Sequence, residues 1–208
     1  MHNFKSIFSW PDQVMEALSL ELRVACEDDA KEIAALVNNA YRPSSQEAGW
    51  THEANIIAGE RVSSEQVLSL FCEKSTILLL CLEQEIVACV HVQGEQSGAY
   101  IGMLATKPAM QAQGLGKRML LHAEMYAIGH YDASVLKMSV LSLRPELLAF
   151  YERRGYVLTG KTEPYPLSAG VGQPIVTGVH VLSLEKAPAN PSCLRGSEKV
   201  AQVSELKR

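Results

Sequence analysis

From Leu20 onward the apolar positions of the chain fall into stretches of two periods, one of two residues and one near 3.6. Leu20, Leu22 and Val24 alternate with Glu21 and Arg23, which predicts a strand over Leu20 to Ala25. Asp28 or Asp29 then caps a helix with Ile33, Leu36, Val37 and Ala40 on one face, and Pro43 forbids its continuation. Ser63 or Ser64 opens a second helix with Val67, Leu68 and Phe71 as its stripe, running to about Lys74. Thr76 to Glu83, Ile86 to Gln93 and Ala99 to Thr106 read as strands joined by short polar turns, so they are antiparallel neighbours. A long helix from Leu115 to about Gly129, a strand Val135 to Leu141 and a helix from Pro145 to about Arg154 follow. Gly155 ends that helix, and strands Tyr156 to Lys161 and Val176 to Leu184 complete the series.

The order predicts an α/β fold with a mixed, mostly antiparallel twisted sheet of about seven strands flanked by about four helices. Residues 20–186 are expected to form one domain. Residues 1–19 read as an N-terminal extension with a short helix at Asp12 to Leu18, and residues 187–208 as a tail rich in Pro, Asn and Ser. Ser44 to Arg61 has no clear period; a connection of that length in a compact domain is usually functional.

Composition narrows the partners. A formal charge of −4 over 208 residues lacks the basic field of a nucleic-acid binder, and 47% hydrophobic residues exclude intrinsic disorder. The apolar run Ile77 to Leu82 is far short of the roughly 20 residues that span a bilayer. With no secretory signal pattern at the N-terminus, no membrane association and a cytoplasmic location are expected. The five cysteines form no C-x-x-C pair, so neither a disulfide framework nor a metal site is expected, and most read as small buried hydrophobes.

The chemistry concentrates in Leu104 to Arg118. A strand runs into a loop with Gly114 and Gly116 and directly into a helix, so unpaired amides and the positive end of the helix dipole make an anion site. Lys117 and Arg118 stand in the first helical turn, where the dipole disfavours cations unless an anion is bound. A Walker A loop would need Ser or Thr at Arg118 and Gly at Gln111, and a Rossmann loop a third glycine at Met119.

Gln111-Ala-Gln-Gly114-Leu-Gly116 resembles the Arg/Gln-x-x-Gly-x-Gly/Ala loop of the GCN5-related N-acetyltransferase (GNAT) superfamily. Phe150-Tyr151-Glu-Arg-Arg-Gly155-Tyr156 is similar to that family's later Tyr and Gly-aromatic motif, on the expected elements. The resemblance implies an enzyme that transfers acetyl from acetyl-CoA, as co-substrate and without a metal, to a primary amine of a small molecule or peptide. It implies that Gln111, Ala112, Gln113, Gly114, Leu115, Gly116 and Lys117 hold the pyrophosphate. Leu104, Ala105 and Thr106 would pair with the acyl and pantetheine portions, on a strand that splays from its neighbour near Met138. Tyr151 would act as general acid toward the departing thiolate, and a homodimer is a common family assembly.

Two departures from the family pattern shape the rest. Many members carry a general-base Glu where this chain has Tyr100, so the base candidates are His91, Glu95, Glu53 and Tyr100, or His52, or a water chain. Where the family often has an Asn that contacts the cofactor stands Arg144, which could reach a CoA phosphate. Trp50, His52 and Glu53 lie where the family builds its acceptor site. Loss of the Glu also keeps open a noncatalytic acyl-CoA-binding module of the same fold.

Overall fold

The computed structural model describes residues 20–43 and 52–188. The described elements are β1 (Leu20–Val24), α1 (Ala30–Tyr41), β2 (Ile57–Ala58), α2 (Ser64–Leu68), β3 (Ser75–Leu82), β4 (Glu85–Gly94), β5 (Ala99–Thr106), α3 (Leu115–Tyr131), β6 (Leu136–Leu141), α4 (Pro145–Glu152), β7 (Val157–Pro164), β8 (Gln173–Pro174) and β9 (His180–Lys186). Seven strands form one sheet in the order β1-β3-β4-β5-β6-β9-β7, and β2 pairs with β8 in a separate ribbon. The helix expected at Asp12 to Leu18, Trp50, Cys193 and the tail beyond residue 188 lie outside the described residues.

The uninterrupted apolar run of β3 follows from its place in the sheet, because both of its faces are covered. Leu78 and Leu80 pack with α3, β6 and Tyr151 on one side. Ile77, Leu79 and Cys81 pack with α1 and Val67 of α2 on the other. Cys81 and Cys89 are buried as small hydrophobes, whereas Cys26 and Cys72 are exposed. Among the described residues no helix is long and apolar enough to cross a membrane, and no cluster of His, Cys, Asp or Glu is placed to hold a metal ion.

β7 runs on to Pro164 rather than ending at Lys161, and three further differences from the sequence expectation bear on the site. The second helix ends at Leu68 rather than near Lys74, because Ser69 Oγ donates to the Gln66 carbonyl and Ser75 Oγ to that of Leu70. The last strand starts at His180 rather than Val176, since Gly178 at φ +76° turns the chain just before it. The β2–β8 ribbon places strand pairing inside the segment read as irregular.

Two irregularities of the sheet open the site. β5 and β6 are parallel and pair only at Ala99–Leu136 and Tyr100–Lys137, so the strands part beyond Tyr100 while β6 continues against β9. On the other edge of β5 the register slips, with Cys89 opposite Ala105 and His91 opposite Gly102. Met103 takes up the slip at φ +50°, a left-handed conformation that costs a non-glycine residue about 1–2 kcal/mol.

The start of α1 is held by an ion pair. Arg23 donates through both terminal nitrogens to Asp29 at 2.7 Å, and the Cys26 amide donates to the same carboxylate at 2.8 Å. The Arg23 hydrogen bonds hold the Asp29 carboxyl at about 2, below its ordinary 3.8. A depressed carboxyl stabilises the fold above its unfolded value and loses that contribution as pH falls from about 4 toward 2. Asp29→Asn is therefore expected to cost about 1 kcal/mol near neutrality, or roughly 2–4 °C in Tm. Thermal melts of both proteins across acid pH should converge toward pH 2.

Candidate active site

The turn before α3 is shaped for an anion. Ala112 (φ +62°) and Gly114 (φ +83°) are both left-handed, and the amides of Ala112 to Lys117 have no backbone acceptor among the described residues. A Cβ on Gly114 would meet nothing within 4 Å, so glycine serves the conformation there. A Cβ on Gly116 would lie 3.7 Å from Thr106 Oγ1, an ordinary contact. The Gln111 side chain donates to the Thr106 carbonyl and ties the loop to the end of β5.

This loop forms one wall of a cavity of about 240 Å³. Leu104, Thr106, Gln111, Ala112, Gly114, Leu115, Gly116 and Lys117 all line it, with Tyr41, Leu147, Phe150, Tyr151 and Arg154 opposite. Lys117 and Arg154 are its charged residues, and no carboxylate lines it. Of the other loop and strand candidates, Gln113 is exposed outside the cavity and the Ala105 side chain packs into the core beside α1.

Tyr151 is aimed by the end of α4. Gly155, at φ +87°, lets its amide reach the Glu152 carbonyl while the Tyr156 amide reaches that of Tyr151, a Schellman closure that folds the chain back over the helix. The Tyr156 ring then packs edge-on against Tyr151, with centroids 5.9 Å apart. The spacing of the Tyr and Gly-Tyr motif is thus the spacing of a helix cap. Tyr151 is buried, its hydroxyl has no hydrogen-bond partner among the described residues, and desolvation pushes its phenol well above the ordinary range.

A second cavity, of about 540 Å³, opens on the far side of the same wall. Tyr41, Leu104, Leu147 and Tyr151 line both, so the two spaces adjoin at these four residues, of which Leu104 follows the left-handed Met103 on β5. Tyr41 Oη donates to the Leu104 carbonyl at 2.8 Å, and burial keeps that phenol protonated. Tyr100 and Glu53 face the second cavity. Gly102 makes room for the Tyr100 ring, whose Cε1 would lie 2.9 Å from any Cβ placed there.

The remaining candidates stand elsewhere. His91 is buried without lining either cavity; its Nε2 is 2.8 Å from Ser75 Oγ, and desolvation lowers its pKa to about 4. Glu95 lies at the β4–β5 turn, paired with Lys137 at 2.8 Å. His52 lines neither cavity. Arg144, which could have reached a CoA phosphate, is instead the N-cap of α4, nearly fully buried, engaged by Glu146 and 4.0 Å from Glu53. Glu53 also pairs with Arg42 at 2.5 Å, so one buried carboxylate bridges two buried guanidinium groups.

The sequence reading missed Tyr41, Arg154 and Met103. Tyr41 carried a signal, since it continues the four-residue spacing of Ile33 and Val37 on the buried face of α1. Arg154 sits one turn after Phe150, whose ring its guanidinium covers at 3.4 Å. Met103 has no local signature, because the slip it absorbs is set by β4.

Residues 73–158 match the family model described as the acetyltransferase (GNAT) domain. The ribosomal-protein-S18-alanine N-acetyltransferase from Escherichia coli superposes with a TM-score of 0.60 at 16% identity, over 88% of this chain and 99% of that one. Ard1 from Thermoplasma volcanium gives 0.62 at 12% identity, over 83% and 100% of the two chains. An N-acetyltransferase from Staphylococcus aureus Mu50 gives 0.61 at 11%, over 81% and 97%. At these identities the superpositions show a common fold. No curated protein matches the chain by sequence. Residues 73–158 thus match the model of the acetyltransferase (GNAT) domain, and the described sheet and helices have the fold of these N-acetyltransferases.

Proposed function

We propose that the protein transfers an acyl group, in the first instance acetyl, from acetyl-CoA to a primary amine of a small molecule or peptide. The observation that carries this reading is the meeting of the two cavities at Leu104 and Tyr151, one walled by an anion-binding turn and the other open to an acceptor. The residues of the first cavity fit a phosphate-bearing cofactor. Its free amides, Lys117 and Arg154 favour an anion, and the absence of side chains at Gly114 and Gly116 leaves the backbone approachable.

When bound, acetyl-CoA supplies an acyl group activated as a thioester. The turn Gln111 to Gly116 holds the diphosphate, and β5 beyond Tyr100, freed from β6, offers backbone to the pantetheine arm. As the N–C bond forms and the C–S bond breaks, the nitrogen loses a proton and the sulfur needs one. Tyr151 keeps its own proton, because burial makes its phenol a weaker acid than a thiol of pKa near 8.5. It therefore serves as the hydrogen-bond donor beside the sulfur, which gains its proton through solvent.

Of the named base candidates, Tyr100 and Glu53 face the acceptor cavity. Glu53 is committed to Arg42, which supports an amine that arrives neutral or loses its proton to water near Tyr100. The unpartnered Tyr151 hydroxyl at the junction favours catalysis over a noncatalytic acyl-CoA-binding module.

Acetyl-CoA at 100 times its Kd is expected to stabilise the protein by about 2.7 kcal/mol, read as a raised Tm. Gly116→Val should fold, given the ordinary contact at Thr106, and show no such rise because its methyl groups cover the turn. Released thiol in the presence of an amine panel then tests transfer. Ligand binding without thiol release from any amine would favour the binding module.

A further inference from the structure

The charges around the second cavity do not balance. Glu53 is shared by Arg42 and Arg144, Arg144 is also engaged by Glu146, and Glu163 is held by Lys161 at 3.1 Å. Arg61 also lines the cavity, and among the described residues it has no carboxylate within ion-pair distance. Its side chain stands over the Tyr41 ring, with the guanidinium carbon 5.7 Å from the centroid. Its backbone is fixed by Asn38, whose Oδ1 accepts from the Arg61 amide at 2.7 Å and the Val62 amide at 3.2 Å, and whose Nδ2 donates to the Val62 carbonyl at 2.8 Å. Of the charged residues that line the described wall, Arg61 is therefore the one without an ion-pair partner among the described residues, while Glu53 is paired in the interior and Glu163 at the exposed rim.

Resting on the acyl-transfer reading, we propose that the acceptor is an amino-acid-like zwitterion, an amine with a carboxylate a few bonds away, and that Arg61 is the residue that receives the carboxylate. A guanidinium fork matches a carboxylate with two parallel hydrogen bonds, and the pair gains strength in a cavity with restricted water. The placement suits the chemistry. One tyrosine ring separates Arg61 from the Leu104 carbonyl, so a ligand anchored by its carboxylate on Arg61 turns its amine toward the Leu104–Tyr151 junction. The rest of the wall includes Met103, Met138, Val140 and Val181, which favour an apolar or aromatic side chain on the acceptor. A polyamine meets the opposite situation, with a second ammonium near Arg61 and the lining carboxylates Glu53 and Glu163 already paired.

The test compares phenylalanine, leucine and methionine with their carboxamides and with spermidine, as acceptors for the full chain with acetyl-CoA. At least one free amino acid is expected to exceed its amide by tenfold or more in kcat/KM, and spermidine should be poor. Arg61→Gln should erase the preference through KM, and Arg61→Lys should retain part of it. Calorimetry with the N-acetyl amino acids and their amides, without CoA, reads the carboxylate site apart from catalysis. Equal use of acid and amide, a preference for spermidine, or unchanged behaviour of Arg61→Gln would overturn the proposal. If no amine is acetylated but the N-acetyl acids still bind in an Arg61-dependent way, the transfer reading fails and the carboxylate site stands. Loss of both would remove both.

Discussion

Replacing Tyr151 by phenylalanine is expected to lower kcat by tenfold or more while the Kd for acetyl-CoA changes little. The side chain is buried between two cavities, its ring is held by Phe150 and Tyr156, and its hydroxyl is the part with no partner in the described structure. Removing the oxygen thus leaves the packing intact and deletes a donor from the wall that the two cavities share. A loss confined to kcat marks an interaction made as the C–S bond breaks, whereas a loss confined to KM would mark a binding contact. Because burial holds the phenol far above the ordinary range, the pH dependence of the wild-type rate should not carry a Tyr151 limb near 10, and the variant should keep the same profile shape. Single-turnover thiol release from preformed complex with acetyl-CoA, measured for both proteins, separates these outcomes. Equal rates would remove Tyr151 from the reaction.

The second large effect concerns stability. Glu53→Ala is expected to destabilise the protein by about 3–5 kcal/mol, because it leaves the Arg42 guanidinium without its carboxylate in a nearly dry setting and takes the second carboxylate from beside Arg144. The Arg42 and Arg144 side chains are 6% and 3% exposed, and Glu53 is the carboxylate between them. The residue also ties the chain on either side, its amide donating to the Tyr41 carbonyl at 2.7 Å and its carbonyl accepting from Ile56 and Ile57. Glu53→Gln keeps the shape but not the charge, so its loss should be smaller than that of alanine. Denaturant melts of both variants give the difference, and a change of less than about 1 kcal/mol in Glu53→Ala would mean that Arg42 and Arg144 find other partners or water. If the double replacement of Glu53 and Arg42 costs less than Glu53 alone, the penalty lies in the uncompensated charge.

Much of the frame was legible because the information is local. The largely apolar run Ala99–Thr106 between two turns marks β5 with the bounds the structure has, short turns fix the antiparallel β3-β4-β5 run, and a glycine-rich turn directly before a helix marks the candidate anion site. Gly155 marks the end of α4 for the same reason, as a left-handed position that suits glycine. Arg144 shows where such reading fails. Its place before α4 suggested a phosphate contact, but its guanidinium is buried, engaged by Glu146 two residues on and 4.0 Å from Glu53, which comes from a segment with no period of its own.

The order of the main-sheet strands and the four helices, the glycine turn proposed to hold a diphosphate and the helix cap beside Tyr151 follow from the sequence, since each depends on neighbours within a few residues. The tertiary structure alone decided the left-handed turn at Met103, the parting of β5 from β6, the reach of Tyr41 to Leu104 and the charges left over around Arg61. Those features depend on register, burial and charge pairing between segments distant in the chain. Such pairing is settled only when the sheet has closed and every buried charge has found, or failed to find, its partner.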